Sequence, residues 1–321
     1  MPAALLTPPA AERVANAVRA VLAGRDTAAT AAEAGLEPAD LADATDAYHL
    51  AGIAALERRA AAPWQQVNVY PAGHDPADRT LATFVGPRLD MLVAGGAASG
   101  WWHMNKPPGW RIRLLDADMD TVRQLLDDLA AAGVIAAWSP AIYEPETAAF
   151  GGDTGIGIAH ALFCADSAGV LDHLRRGNAL LGSRELSILL ISAMCAAAGL
   201  DWYERGDIFA RVAAMRPNPP TTANVRTALA AQLRVLLATP TQPESPLFTA
   251  SGPAALAAPW RDAFEEAGRR LCVAATAGAL SRGLRAVLAH MVIFHWNRFG
   301  FSASTQAVLA RTAISACLPE D

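Results

Sequence analysis

Cysteine is scarce in this chain of 321 residues, which has only four thiols, at Cys164, Cys195, Cys272 and Cys317. They lie far apart in the sequence, and no two stand at the spacing that metal ligands adopt. A chain of this length can bury a substantial core and does not need disulfides to fold. We therefore expect free, mostly buried thiols, no bound metal and a reducing, cytoplasmic environment.

Charge is also sparse, because charged residues make up 18% of the chain. The 26 basic residues are scattered among 31 acidic ones, so no basic stripe could follow a phosphate backbone, and nucleic acid is not expected as a substrate. Charged residues interrupt each apolar run before it reaches bilayer length, and the first 20 residues lack the pattern of a signal peptide. We expect a cytoplasmic protein without a membrane partner.

Cofactor motifs are missing as well. The glycine-rich stretch Gly151–Gly157 lacks the P-loop lysine and the spacing of a dinucleotide-binding turn. The seven histidines form no metal-ligand set with the cysteines. The sequence therefore predicts a reaction without a cofactor.

The first 62 residues predict a small unit of three helices. Turns at Gly24–Thr27 and Gly35–Asp40 divide the stretch into helical segments of helix-turn-helix type. Because no basic surface accompanies them, DNA reading is disfavoured, and an appendage for packing or peptide docking is the preferred interpretation. The predicted domains are this appendage, at 1–62, and a second domain at 63–321.

The second domain opens on residues that alternate as strands do and then switch to helical spacing. The predicted elements are a strand at 64–70, a helix at 77–93, strands at 101–105 and 110–115, a helix at 118–132 and a strand at 134–143. This order is the split βαβ arrangement that is typical of ferredoxin-like units.

From residue 157 onward the sequence predicts helices almost throughout, with an exposed loop rich in Pro, Ser and Gly at 239–259. The predicted helices are 158–175, 183–198, 203–215, 222–238, 260–299 and 302–317. The predicted fold class is α+β, in which a small antiparallel ferredoxin-like sheet packs against a larger helical bundle and carries an N-terminal three-helix appendage.

Two arginines on a predicted strand are the first candidates for chemistry. Arg111 and Arg113 are separated by one residue, so their side chains emerge on the same face of the sheet. Two neighbouring guanidiniums repel each other unless an anion lies between them, which suggests a carboxylate or phosphate site. The alternative is that one arginine pairs with a nearby acid while the other is solvated.

The segment after the fourth predicted strand is unusual, because two acids bracket a proline at 144–146 and Gly151-Gly152 precede a helix. A strand-to-helix turn of this kind exposes backbone N–H groups that favour an anion. The alternative is a tight turn whose Asp153 or Thr154 caps the helix, and spacing alone favours this simpler interpretation.

These two segments resemble the C-terminal elimination domain of lanthipeptide dehydratases. That domain carries an L-R-L-R strand followed by an E-x-x-R-Y-G-G turn, which read here as Trp110–Arg113 and Glu146–Gly152. The helix at 158–167 and the run Asn297–Gly300 also follow the family pattern. The resemblance spans 64–317 and is best to the free-standing proteins called thiopeptide-type bacteriocin biosynthesis proteins.

The resemblance implies maturation of a ribosomally synthesised peptide of lanthipeptide or thiopeptide type. The family's domain expels glutamate from a glutamylated Ser or Thr and leaves dehydroalanine or dehydrobutyrine. This step is a β-elimination, in which a base removes the α-proton, the enolate is stabilised and a carboxylate leaves. The implied partners are a leader-bearing precursor peptide, a separate glutamylating dehydratase protein and a second copy of the chain in a homodimer.

Carried over residue by residue, the resemblance implies that Arg111 and Arg113 hold the leaving glutamyl group beside Glu146, and that His290 or His295 is the base. The two histidines lie on different helix faces, so at most one can face the site. The residues expected to bind substrate are Trp102, His103, Trp110, Gly151, Gly152, Asn297 and Arg298.

Two positions depart from the family pattern. Ala149 stands where the family has the arginine before its aromatic-Gly-Gly turn, and Ile293 stands where it has the catalytic histidine. Two other roles therefore stay open. One is formal [4+2] cyclisation of two dehydroalanines with leader expulsion, which needs shape and aromatic walls more than paired arginines. The other is a degenerate site that binds the precursor peptide as an accessory.

Overall fold

The structure is a computed structural model that describes residues 8–60, 64–73, 77–177, 180–217 and 223–318. The chain divides into two compact units, Met1–Pro63 and Trp64–Asp321. The predicted domain boundary at residues 62 and 63, and the predicted helix start at Thr222, lie outside the described residues.

The first unit consists of three helices, α1 (Pro8–Leu22), α2 (Thr27–Ala34) and α3 (Pro38–Ala60). Helix α2 begins after Asp26, whose carboxylate accepts a hydrogen bond from the backbone N–H of Ala29, and it ends at Gly35 in the left-handed conformation. A small core closes the unit, formed by Ala17, Val18, Ala31 and Leu41.

The second unit contains four strands, β1 (Trp64–Pro71), β2 (Gly100–Lys106), β3 (Gly109–Leu115) and β4 (Ile135–Ala141). They form one antiparallel sheet in the order β2-β3-β1-β4. All four predicted strands are confirmed, and their bounds differ from the predicted ones by two residues at most. Alternation is clearest on β1 and β3, where Val67, Val69, Trp110, Ile112 and Leu114 share one buried apolar face.

Helices make up most of the rest of this unit. They are α4 (Ala77–Thr80), a π-helical turn (Leu81–Val85), α5 (Gly86–Ala94), α6 (Met119–Ala131), α7 (Asp153–Arg176), α8 (Ser183–Ala197), α9 (Trp202–Ala214), α10 (Ala223–Ala238), a 3₁₀ turn (Ala255–Ala257), α11 (Ala258–Thr276), α12 (Leu284–Arg298) and α13 (Ala303–Cys317). With one small sheet among them, the fold class is α+β, as predicted.

The two faces of the sheet have different partners. One face presents Val67, Ile112 and Leu114, which pack with Leu89 of α5 and Leu126 of α6 in a core of their own. Burying an aliphatic side chain of this size contributes about 2 kcal/mol each, so this core fixes the strand register. The other face presents alternate residues toward the helices that follow, and it carries the polar residues described below.

The larger core lies among the later helices. Helix α8 is buried along most of its length and packs against α11, while α7 and α12 both contact β2. Trp102 and Met104 on β2 belong to this core. The sheet face that carries Arg111 and Arg113 therefore looks toward α7 and α12.

Two predicted helix bounds are wrong. The predicted helix at 260–299 is two helices, because α11 ends at Thr276 and α12 begins at Leu284. Gly278 between them takes a φ of 69°, which suits glycine and ends the first helix. Helix α7 begins at Asp153 rather than at residue 158, because the packing of Gly155 outweighs its poor intrinsic helix propensity.

In the described part of the chain, α7 is long and apolar enough to cross a membrane by length and composition alone. The protein itself buries 56% of the apolar window of α7, which contacts β2, α11 and α12. That burial is typical of a core helix, so the helix gives only weak evidence for a membrane span.

Candidate active site

Polar side chains form a row across the sheet face that looks toward the helices. Arg113 lies opposite Gln66 on β1 and Trp102 on β2. Arg111 lies opposite Asn68 and Met104 in the same way. Since residues two apart share a face, the prediction that Arg111 and Arg113 point to the same side is confirmed.

Arg113 is a buried cation with spare hydrogen-bonding capacity. Its side chain is 6% exposed, and its guanidinium carbon lies 4.2 Å from the ring centroid of Trp102 and 5.2 Å from that of Tyr143. Nε donates to Oε1 of Gln66 at 2.7 Å, while Nη1 has no hydrogen-bond partner in the described part of the chain. Burial lowers the pKa of Arg113 to about 10, so the side chain stays charged at neutral pH.

A cavity of about 560 Å³ opens over this row of side chains. A second cavity of about 480 Å³ adjoins it, and the two share Arg111, Arg113, Glu146 and Phe294 as walls. The first is otherwise lined by Gln66, Asn68, Trp102, Ala141, Ile142, Tyr143, Glu144 and Phe150. Among the residues that line the second are Lys106, Arg216, Asn297 and Gln306. Cationic side chains thus border a cleft large enough for a peptide segment.

The turn between β4 and α7 forms the rim of the cleft. Gly151 and Gly152 take φ values of 81° and 98°, which side-chain-bearing residues rarely adopt. A Cβ on Gly155 would lie 1.7 Å from the backbone oxygen of Phe150, so this glycine lets the helix pack closely against the turn. The backbone oxygen of Gly151 accepts a hydrogen bond from the N–H of Ser281, which ties the rim to the segment before α12.

Tyr143 and His160 form a hydrogen-bonded pair beside Arg113. The Tyr143 hydroxyl lies 2.7 Å from Nε2 of His160 on α7, and the imidazole ring lies 4.7 Å from the ring of Trp64. Burial raises the pKa of Tyr143 to about 12, although Arg113 opposes the rise. Burial, assisted by the charge of Arg113, lowers the pKa of His160 to about 4. Both groups are therefore neutral at pH 7.

A buried polar network lies behind the cleft. Asp166 accepts hydrogen bonds from Nε1 of Trp260 at 2.9 Å and from Nδ1 of His295 at 2.8 Å, and it forms an ion pair with Arg298. Nε2 of His295 is 3.0 Å from the hydroxyl of Ser187. Burial alone would raise the pKa of Asp166, but His295 and Arg298 outweigh it and hold the value low.

The connectivity of this network, Asp166 to His295 to Ser187, is that of a hydrolytic triad. All three residues are buried, and none lines a cavity described above. The network therefore has a structural role and not a hydrolytic one. It holds Arg298 with its guanidinium carbon 4.1 Å from the ring centroid of Phe163 and 5.5 Å from that of Trp102. The network thus fixes Arg298 behind Trp102, which lines the larger cavity.

The structure brings five of the predicted residues to the cleft, and they are Arg111, Arg113, Glu146, Trp102 and Asn297. His290 lines neither cavity; it lies one turn before Phe294 on α12 and has its ring 6.2 Å from that of Phe150, which does line the larger one. Its Nδ1 is 3.0 Å from the backbone oxygen of Ala286, an acceptor to which only a protonated Nδ1 can donate.

The other predicted residues do not line the cleft. Trp110 faces the opposite core, because it is one residue from Arg111 on a strand. His103 is fully buried beside the ring of Trp101, and burial lowers its pKa to about 3. His295 and Arg298 are engaged with Asp166. The remaining predicted residues, Gly151 and Gly152, shape the rim of the cleft but line neither cavity.

Several residues of the cleft were missed from the sequence. Tyr143 stood inside the recognised turn segment, but nothing in its neighbours signals a histidine 17 residues later as its partner. Gln66 could have been found, because it shares a face with Asn68 on a strand predicted to pair with others. Arg216 reaches the cleft from a turn after α9, and no local pattern predicts that.

Metal-ligating side chains do not cluster in the described part of the chain, where no group of three His, Cys, Asp or Glu residues is placed to hold an ion. The cleft instead presents arginine, tyrosine, amide and carboxylate groups. These groups can hold an anion or a polarised carbonyl and can exchange protons.

Residues 64–317 match the family described as lantibiotic biosynthesis dehydratase C-term. The tRNA-dependent lantibiotic dehydratase MibB from Microbispora sp. 107891 superposes with a TM-score of 0.61 at 18% identity, over 80% of this chain and 28% of the MibB chain. TbtD, the pyridine synthase from thiomuracin biosynthesis, superposes with a TM-score of 0.53 at 15% identity, over 80% of this chain and 98% of its own. No curated protein sequence matches the chain.

At these identities the two solved structures share the fold and leave the reaction open. This chain spans less than a third of the length of MibB, so the activity of that whole enzyme does not transfer to it. The family match covers most of the chain and all of the second unit's sheet. The resemblance recognised in the sequence motifs is confirmed, and the protein belongs to the lantibiotic biosynthesis dehydratase C-terminal family.

Proposed function

We propose that this protein matures a ribosomally synthesised peptide by expelling glutamate from glutamylated Ser or Thr. The observation that carries the proposal is Arg113, a buried cation that lines the cleft, keeps an unpartnered Nη1 and forms no ion pair within the described residues. Glu146 borders the same cavity but forms no ion pair with Arg113, and a buried guanidinium that no carboxylate contacts directly favours binding of an anion. The carboxylate of a leaving glutamate matches it in charge and geometry.

The roles in this proposal follow from position in the cleft. Arg113 holds the glutamyl group together with Arg111, which is the more exposed of the two arginines. Glu146 borders the same cavity. His290 is the proposed base, because it lies on the helix face that continues to Phe294 and Asn297 at the cleft, and a ring that donates through Nδ1 can accept a proton at Nε2. Removal of the α-proton by His290 would form the Cα=Cβ double bond as the Cβ–O bond to glutamate breaks.

A second candidate is formal [4+2] cyclisation of two dehydroalanines. Aromatic rings of Trp102, Tyr143, Phe150 and Phe294 wall the larger cavity, as a reaction governed by shape and orientation would require. The replacement of the family's third arginine by Ala149 points the same way. This candidate uses the same cleft, so the products distinguish it from elimination.

The remaining features of the proposal concern context. A leader-bearing precursor peptide is the proposed partner, with a separate glutamylating protein upstream in the reaction sequence, in the cytoplasm. A homodimer and an appendage at 1–62 beside an elimination-like domain at 63–321 remain predictions. The strand order β2-β3-β1-β4 supports a ferredoxin-like sheet against a helical bundle as the finer description of the fold.

Mass spectrometry of a precursor peptide incubated with the full chain tests the function. A glutamylated peptide that loses glutamate and gains a dehydro residue supports elimination. A dehydrated peptide that loses its leader supports cyclisation instead. Binding of either peptide without a mass change would overturn both and would indicate an accessory protein.

A further inference from the structure

The pair Tyr143 and His160 has no role in the reaction as described so far. Tyr143 follows β4, lines the larger cavity and is half-buried. Its hydroxyl is fixed by the 2.7 Å contact with Nε2 of His160 on α7. The imidazole in turn packs against the indole rings of Trp64 and Trp102, at 4.7 and 6.2 Å between ring centroids. The hydroxyl therefore has a defined direction before any ligand enters.

Tyr143 is also next to the buried cation of the cleft. The guanidinium carbon of Arg113 lies 5.2 Å from the Tyr143 ring centroid, and both side chains line the same cavity. At neutral pH the phenol keeps its proton, because burial raises the pKa of Tyr143 to about 12. Nη1 of Arg113 has no hydrogen-bond acceptor among the described residues. Two donor groups thus stand side by side, and one of them carries a positive charge.

A purely structural role explains less of this arrangement. A tyrosine that only packs would gain a cation–π contact with Arg113 through its ring, but that contact does not require a hydroxyl fixed by His160. Here the neutral imidazole can give Nε2–H to the Tyr143 oxygen, which frees the phenolic proton for another acceptor. The acceptor that suits a neutral O–H beside a guanidinium is an oxygen on which negative charge develops.

We propose that the Tyr143 hydroxyl is the oxyanion donor for the carbonyl oxygen next to the reacting α-carbon, beside the glutamate that Arg113 holds, and that His160 is the positioning residue for Tyr143. This inference rests on the proposed function. When His290 takes the α-proton, the electrons of the C–H bond move toward this carbonyl oxygen, which accepts a hydrogen bond from the Tyr143 hydroxyl. The same electrons then form the Cα=Cβ bond, and glutamate leaves with the electrons of the Cβ–O bond.

The kinetic test compares Tyr143→Phe with Tyr203→Phe, a matched change at an exposed tyrosine in the first turn of α9. Because the oxygen gains its charge only in the transition state, Y143F should lower kcat about 100-fold and change the Kd of the glutamylated peptide less than 3-fold. Y203F should keep the wild-type kcat. A kcat for Y143F within 3-fold of wild type would overturn the proposal.

The role of His160 is tested by rescue. His160→Gln can still donate a hydrogen bond to Tyr143, whereas His160→Leu cannot. We expect H160Q to keep at least ten times the kcat of H160L at an unchanged Kd. Equal losses of kcat in both variants would overturn the positioning role, since a packing role does not depend on the donor.

A binding experiment decides the inference even if the wild type eliminates nothing. N-acetylalanine is the probe, because its carboxylate adjoins the α-carbon, as the reacting carbonyl does, and carries the negative charge that the enolate oxygen develops. Its Kd, measured by NMR titration of the full chain, should rise at least 5-fold in Y143F and stay at the wild-type value in Y203F. Equal Kd values in all three proteins would overturn the oxyanion site, whereas an inactive wild type with this Kd pattern would overturn only the elimination.

Discussion

Asp166→Asn removes the carboxylate at the centre of the buried network behind the cleft. Asp166 is fully buried, forms an ion pair with Arg298 and accepts hydrogen bonds from Trp260 and His295. Asparagine has nearly the same shape, but it leaves the guanidinium of Arg298 in the core without a counter-charge. Removing one partner of a buried ion pair costs about 3–5 kcal/mol, so we expect D166N to lower the free energy of unfolding by about 4 kcal/mol.

Urea denaturation of the full chain at pH 7 measures this loss, with Asp207→Asn as the matched control. Asp207 pairs with Arg211 and Arg285 near the surface, where an ion pair contributes about 0–1 kcal/mol. In a thermal scan, a loss of 4 kcal/mol corresponds to a Tm lower by roughly 8–16 °C. A D166N protein as stable as D207N would refute the reasoning, because Arg298 would then need no counter-charge.

Two further predictions concern the rim and the buried histidines. Gly155→Ala should lower the free energy of unfolding by about 1–3 kcal/mol, because its Cβ would lie 1.7 Å from the backbone oxygen of Phe150. The control is Gly157→Ala on the same helix, where an added Cβ would have no other atom within 4 Å. It should raise the free energy of unfolding by up to about 1 kcal/mol. Equal thermal midpoints for the two variants would contradict this account. Burial lowers the pKa of His103 to about 3 and that of His160 to about 4, below the value near 6.5 of an unfolded histidine. The unfolded chain therefore binds more protons between these pH values, so stability should fall as the pH drops from about 6.5 to 4, and a urea midpoint that stays constant between pH 7 and pH 5 would argue against it.

Local patterns predicted the sheet well because its strands depend on local alternation. Val67 and Val69 give β1 one apolar face, as Ile112 and Leu114 do for β3, and period-two patterning identifies such strands directly. The same period could have excluded Trp110 from the cleft, since it adjoins Arg111 and must face the other way. Fold class and strand bounds were therefore within reach of the sequence.

Features that depend on packing between residues far apart in the sequence could not be predicted from local patterns. The Gly151-Gly152 turn predicted a helix that starts near Asp153, but the passage of α7 through Gly155 follows from the close approach of Gly155 to Phe150, which helix propensity disfavours. The roles of the two candidate histidines separated only once their partners were known, because His295 is held by Asp166 from a helix 129 residues away. The pairing of Tyr143 with His160 is likewise a product of the fold.

The central claim is that Arg113 holds the leaving glutamate, and the rate of glutamate release from a glutamylated precursor peptide tests it most directly. The wild type should release glutamate with formation of a dehydro residue, and Arg113→Gln should lower the rate about 10- to 100-fold, as expected for loss of a charged hydrogen bond of about 1.5–3 kcal/mol. Arg123→Gln, at an exposed ion pair on α6, should match the wild type. Release by R113Q at the wild-type rate, or no release by the wild type, would contradict the claim.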